Sequence, residues 1–224
     1  MLEGFGPAQT YYLHRVDLRP DLGALLRSLH KDSIQRKIRR AEREGLRYAV
    51  GRGEALLRAL YHVLDLTRQR HGVPPQPRRW LQNLAECFGD RLSIRIAFKD
   101  ERPAAGILTL QHGGRVVYKY GGSDARLHAL GGMPFLFWKT IEEAKRRGAG
   151  ELDLGRSDCD NLGLIAFKEH LAAERSGLIY WRSPAGAQAA SDDGWKAALA
   201  RRAFAALPGS LRRAAGRLLY PHVG

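Results

Sequence analysis

Two hydrophobic periods alternate along the chain, and each change of period delimits an element. From Asp21 the apolar residues Leu22, Leu25, Leu26 and Leu29 recur at three- and four-residue spacing, continuing through Ile34, Ile38 and Ala41 to a stop at Gly45. That spacing puts them on one face of a helix. Glu54 to Arg70 repeats the pattern, with Leu56, Leu57, Leu60, Val63, Leu64 and Thr67 inward, and Arg79 to Phe88 predicts a shorter helix. Gly72-Val73-Pro74-Pro75-Gln76-Pro77 between them is a rigid connector, because proline lacks a donor and bars helix at the residue before it. The period then falls to two: Leu92, Ile94, Ile96 and Phe98 alternate with Ser93, Arg95 and Ala97, as in a half-buried strand.

A turn at Lys99 to Pro103, a strand from Ala104 to Gln111, a hairpin turn at His112 to Arg115 and a strand from Val116 to Gly122 make an antiparallel meander. Helical spacing returns from Met133 to Arg147 and ends at Gly148 and Gly150. Glu151 to Leu154 then lies parallel to the third strand by a crossover. Ahead of all this, Tyr11 to Leu18 predicts a strand ended by Pro20, and Leu46 to Val50 another. The expected class is α/β of the α+β kind, a mixed and mainly antiparallel sheet flanked by helices. Three segments follow: 1–45 with a strand and a basic helix, a main domain over 46–184, and a basic helical tail over 185–224. In the tail Ser191 caps a helix from Asp192 to Ala206, Pro208-Gly209-Ser210 breaks it, and Leu211 to Leu219 forms a second. Docking on its own domain, RNA binding and peripheral contact with a membrane surface are all open to it.

Charge narrows the partner. The 224 residues carry 37 Lys plus Arg against 23 Asp plus Glu, a net of +14. Such an excess favours a polyanion. It concentrates from Lys31 to Arg47, where seven basic and three acidic residues include Arg36, Lys37, Arg39, Arg40 and Arg43 on the outer helix face. An apolar share of 44% suits a globular core. There is no apolar run of about 18 residues, so no transmembrane segment is expected. Met1-Leu2-Glu3-Gly4-Phe5 lacks the basic and apolar regions of a signal peptide, which points to the cytoplasm. Cys87 and Cys159 lack metal-ligand spacing and read as free thiols, with no metal site.

The chemistry is concentrated from Val116 to His170. A strand ending in Tyr118-Lys119-Tyr120-Gly121-Gly122-Ser123 feeds a glycine-bearing loop and then a helix whose free N–H groups suit an anion. Asp153 and Asp158 flank Arg156 at the end of the next strand, and Lys168 follows Phe167. His112 and His128 read as loop residues, and Tyr118, Tyr120 and Tyr180 as either general acids or packing.

This element order resembles the GNAT N-acyltransferase fold. The resemblance aligns Arg126-Leu127-His128-Ala129-Leu130-Gly131, followed by Gly132, with that family's pyrophosphate-binding motif, with Ala129 replacing its first glycine. The FemAB-like branch is closer still. Arg36 to Leu46, Tyr118-x-Tyr120-Gly121-Gly122-Ser123, Pro134, Trp138, Asp153-Leu154-Gly155 and Gly163-Leu164-x-x-Phe167-Lys168 are similar to its motifs in order. The resemblance implies an aminoacyltransferase that uses aminoacyl-tRNA and no cofactor, with a small amine or peptide as acceptor. Members of that branch have two such domains, and this chain has room for one. An acyl-CoA co-substrate is the alternative, and an idle GNAT-fold module that binds RNA or a partner is another. Transfer by direct attack in a ternary complex needs no nucleophilic side chain. Backbone N–H groups at the end of the Tyr118–Ser123 strand would hold the oxyanion. Lys168, Asp153, Asp158 and Tyr120 are the candidate catalytic groups, Arg126, Gly131, Gly132 and Arg156 the candidate phosphate contacts, and Arg36, Lys37, Arg39, Arg40 and Arg43 the candidate nucleic-acid contacts.

Overall fold

The structure, a computed structural model, describes residues 4–184 together with Gly209, Leu211 and 214–216. Seven strands form one sheet in the order β2-β3-β4-β5-β6-β1-β7. They are β1 (Gly6–Asp17), β2 (Arg47–Gly51), β3 (Leu92–Lys99), β4 (Arg102–His112), β5 (Arg115–Ser123), β6 (Glu151–Asp158) and β7 (Glu174–Arg182). β3, β4 and β5 make the expected meander, because each joining turn has two residues in the left-handed region: Asp100 and Glu101, then Gly113 and Gly114. β1 starts earlier than the apolar run suggests and lies within the sheet, antiparallel to both β6 and β7.

The basic helix is not continuous. Asp21 caps α1 (Leu22–Ser28) by accepting from the Ala24 N–H at 2.8 Å, and Leu29 is extended. His30 restarts the helix: its Nδ1 accepts from the Ser33 N–H, and its own N–H donates to the His170 carbonyl at 2.9 Å. A π-helical turn (Lys31–Gln35) then leads into α2 (Arg36–Arg43). Leu29, Ile34, Ile38 and Ala41 are all buried on the two sides of this break.

The helices sandwich the sheet. α3 (Glu54–His71) and α4 (Arg78–Phe88) cover one face, where Leu57, Leu60, Val63 and Leu81 meet Ile94, Ile96 and Leu108. α5 (Gly132–Arg146) covers the other with α2, through Phe135 and Leu136 against Ala41, Ala97, Ala105 and Ile107. On that second face Arg95 is 3% exposed and donates to Glu143 Oε2 at 2.8 Å, while the Tyr48 hydroxyl donates to Glu143 Oε1 at 2.6 Å. Those bonds satisfy a buried charge pair that would otherwise be costly. α6 (Leu162–His170) crosses the end of β6. Of the two tail helices, Asp192 to Ala206 lies outside the described residues. The described positions of the second are helical, and a Cβ on Gly216 would overlap the Pro75 carbonyl, so this turn rests on the proline connector.

Candidate active site

The site begins where two strands part. β5 and β6 pair in parallel only over Arg115–Val117 and Glu151–Asp153, then separate. Gly155 turns β6 away with φ of 72°, and Asp153 Oδ1 holds that turn by accepting the Gly155 N–H at 2.6 Å. Lys168, reaching from α6, donates to the Gly155 and Arg156 carbonyls, both at 2.9 Å. Burial lowers this ammonium to a pKa of about 8, with Asp153 opposing the shift. The sequence points to Lys168 as a stabiliser of carbonyl or phosphate charge. Its observed partners are backbone carbonyls, so it holds the splayed strand in place.

A bulge at Lys119 aligns Leu108 with Tyr120 but Thr109 with Tyr118. Tyr118 therefore faces α5 and packs edge-on against Phe137, which packs against Phe167. Burial pushes its phenol up to about 12, so it stays neutral. Tyr120 faces the opposite side of the sheet, where its hydroxyl accepts from Trp80 Nε1 at 2.9 Å. The candidate catalytic tyrosine is thus not brought to the cleft, because the extra residue reverses the alternation.

A cavity of about 340 Å³ lies against the ends of β4 and β5, large enough for a small acyl or aminoacyl group. Its walls are Ala104 and Ala105 from β4, Tyr118 and Ser123 from β5, Gly132, Met133 and Pro134 from α5, and Leu164 and Phe167 from α6. Leu127 and His128 of a 3₁₀ turn (Ala125–Leu130), with Lys37 of α2, close the mouth. Helix geometry leaves the Gly132 and Met133 N–H groups without partners one turn back, and Pro134 has none to offer. These two are the α5 donors available to an anion.

The flanking loop differs from expectation at two residues. The Gly131 N–H donates to the His128 carbonyl, and a Cβ there would overlap the Lys37 carbonyl, at a φ of 79°. Its missing side chain makes room for α2 rather than for a phosphate. Arg126 extends into solvent but forks onto Asp124, with Nη2 2.6 Å from Oδ2, and this pairing holds the Asp124 carboxyl below its usual range.

Beside the cavity runs a larger groove of about 600 Å³, lined by Arg36, Lys37, Arg39, Arg40 and Arg43 of α2 with Asp32, Glu44 and Ala129. Arg36 pairs with Asp32 at 3.0 Å and Arg40 with Glu44 at 3.7 Å. Among the described residues, Lys37, Arg39 and Arg43 form no ion pair. Lys37 lines both spaces, so the groove and the cavity adjoin at that residue. The acidic and basic cluster at the end of β6 does not act as a unit. Asp153 serves Gly155, Asp158 is exposed, and the Arg156 guanidinium stacks on Tyr11 and Tyr180 at 4.3 and 5.0 Å. Arg156 therefore lies across β1, away from the cavity lining.

One arrangement was not legible in the sequence. His128 Nε2 lies 2.8 Å from Ser123 Oγ on the cavity wall, with Arg70 Nη1 3.4 Å away. Burial first, then Arg70 and Lys37, lowers the imidazole below its ordinary value, while Asp124 opposes. The spacing of five residues carries no periodic signal, and only the 3₁₀ turn brings the two together.

A family model described as the acetyltransferase (GNAT) domain matches residues 28–169. Among solved structures, FemX is 14% identical with a TM-score of 0.65, over 80% of this chain and 63% of its own. The structure of L-PGS from Bacillus licheniformis is 16% identical with a TM-score of 0.57, over 90% of this chain and 67% of its own. The chain thus spans less than two thirds of FemX, and at these identities the likeness is one of fold. No curated protein sequence matches it. The matched residues cover well over half of the chain, and the mixed, mainly antiparallel sheet flanked by helices agrees with the fold that resemblance implied. The chain therefore belongs to the GNAT acetyltransferase family.

Proposed function

We propose that this protein is an acyltransferase that moves an aminoacyl group from aminoacyl-tRNA to a small amine or peptide amine, by direct attack in a ternary complex. The observation that carries the reading is the junction at Lys37 between a groove with five cations and an acyl-sized cavity. A nucleic-acid backbone lying along α2 would place its acylated end at the mouth of the cavity. Holding ester and amine together removes most of the entropic barrier, which is the main requirement of aminolysis. N–H groups on the parted edge of β5 are suited to the developing oxyanion. Lys168 and Asp153 act indirectly by keeping β6 away from β5. FemX and L-PGS, similar in fold, are in keeping with this reading.

A second reading takes acyl-CoA as co-substrate. It is favoured by the description of the matching family model and by the free first-turn N–H groups of α5 beside the cavity. Parallel assays decide between them. The protein is incubated with labelled aminoacyl-tRNA or labelled acetyl-CoA and a primary amine, and the amide product is counted. Label moving from tRNA supports the first reading, and label moving only from acetyl-CoA replaces it with the second.

A further inference from the structure

Two polar side chains on the cavity wall are unused by the reading above. Ser123 closes β5 and is 8% exposed, and its Oγ lies 2.8 Å from His128 Nε2. Thr67 of α3 fixes the serine from behind, accepting its N–H at 2.9 Å and donating to its carbonyl at 3.3 Å. Arg70 Nη1 approaches the same ring nitrogen at 3.4 Å. A guanidinium can only donate, so its approach favours the tautomer with the lone pair on Nε2 and the ring proton on Nδ1. The Ser123 hydroxyl then donates to Nε2, the arrangement of a base waiting to receive a proton through a serine.

We propose that Ser123 and His128 form the proton relay of the transfer, with Ser123 touching the acceptor amine and His128 acting behind it as a positioning base. This rests on the cavity being the acyl-transfer site. The lone pair of the neutral amine forms the C–N bond at the acyl carbon, and the acyl carbon–oxygen bond to the donor breaks. The amine proton passes to Ser123 Oγ as the hydroxyl proton moves to His128 Nε2. The imidazolium returns one proton through the serine to the leaving oxygen, so the cycle closes without net proton change. The charged groups facing His128 are Arg70 from α3, Lys37 from α2 and Asp124 at the cap of the 3₁₀ turn, with Asp124 already engaged by Arg126. Two cations against one paired carboxylate keep the resting ring neutral and make the imidazolium quick to give its proton back.

The test uses the whole chain, bulk tRNA charged with tritiated amino acids, and cadaverine as the acceptor. His128→Gln should lower kcat on the order of 10²-fold or more, the usual size of general acid–base assistance, and should abolish the acidic limb of the kcat–pH profile. Donor KM should stay within about threefold, because neither side chain holds the donor. Ser123→Ala should change kcat in the same direction. A kcat for His128→Gln within about threefold of the parent, or an acidic limb that persists, overturns the relay. If the unaltered protein transfers nothing from charged tRNA or acetyl-CoA, the functional reading fails instead. The pair is then judged alone by NMR titration of the His128 ring. A midpoint below the ordinary histidine value that rises in Arg70→Ala supports the geometry, and an ordinary midpoint unmoved by that change refutes it.

Discussion

The basic groove gives the sharpest prediction, because its contacts can be counted. Arg39, Arg40 and Arg43 are exposed on α2, off the Ile34–Ile38–Ala41 face that packs inward. Replacing all three with alanine keeps a good helix former in place and removes one exposed ion pair, Arg40 with Glu44, worth about 0–1 kcal/mol. Folding should therefore persist. With all five cations of the groove neutralising phosphates, the log–log salt slope of tRNA binding should be roughly −3.5 to −4.5. Affinity would then fall roughly 100- to 500-fold between 50 and 200 mM salt. The triple variant retains Arg36 and Lys37, so its slope should flatten to roughly −1.4 to −1.8. Fluorescence anisotropy with labelled tRNA across a salt series reads the slope directly. Acetyl-CoA carries few phosphates and should bind the variant as well as the parent. A slope and affinity unchanged in the triple variant would make this helix face an ordinary solvated surface and remove the support for a tRNA donor.

Three further outcomes follow from single sites. Lys168 is partly deprived of water, so its folded pKa of about 8 lies below its unfolded value. The folded chain therefore binds fewer protons above that pH, and the stability of the parent relative to Lys168→Met should rise with pH from about 8 until free lysine titrates; a flat difference in Tm over that range refutes it. Gly131→Val should destabilise by about 1–3 kcal/mol or more in urea unfolding, because the left-handed backbone and the Lys37 carbonyl both resist a β-branched side chain; a loss under about 0.5 kcal/mol would show that the loop has room. Glu143→Ala should cost about 3–5 kcal/mol by leaving Arg95 buried and unpaired, whereas Arg95→Met with Glu143→Leu should recover much of that; equal losses in the two proteins would refute the pairing argument.

What the sequence revealed and what it hid separate along a physical line. Periodicity reports which face of an element is apolar, and it located α3, α5 and the β3–β4–β5 meander, although it hid that β3 is covered on both faces, with Arg95 and Ala97 buried opposite Ile94 and Ile96. Ile34, Ile38 and Ala41 are inward for the same reason, and the parallel step from β5 to β6 follows from the crossover through α5. The hidden features depend on contacts between distant segments. The restart at His30 needs the His170 carbonyl, 140 residues away in sequence, to accept its N–H. The bulge at Lys119 adds one residue without altering the apolar pattern, yet it sends Tyr118 to the cleft and Tyr120 to Trp80. Gly131 matched a phosphate motif by spacing, but its backbone is pressed against Lys37. Lys168 suited charge stabilisation by residue type, and its direction toward two backbone carbonyls appears only once α6 crosses β6. Acyl transfer to an amine depends on backbone edges and a shaped gap more than on a signature of reactive side chains. A fold of this kind therefore displays its architecture in sequence more openly than its chemistry. The Ser123–His128 pair shows why: its two members are brought together by a 3₁₀ turn, which leaves no periodic trace.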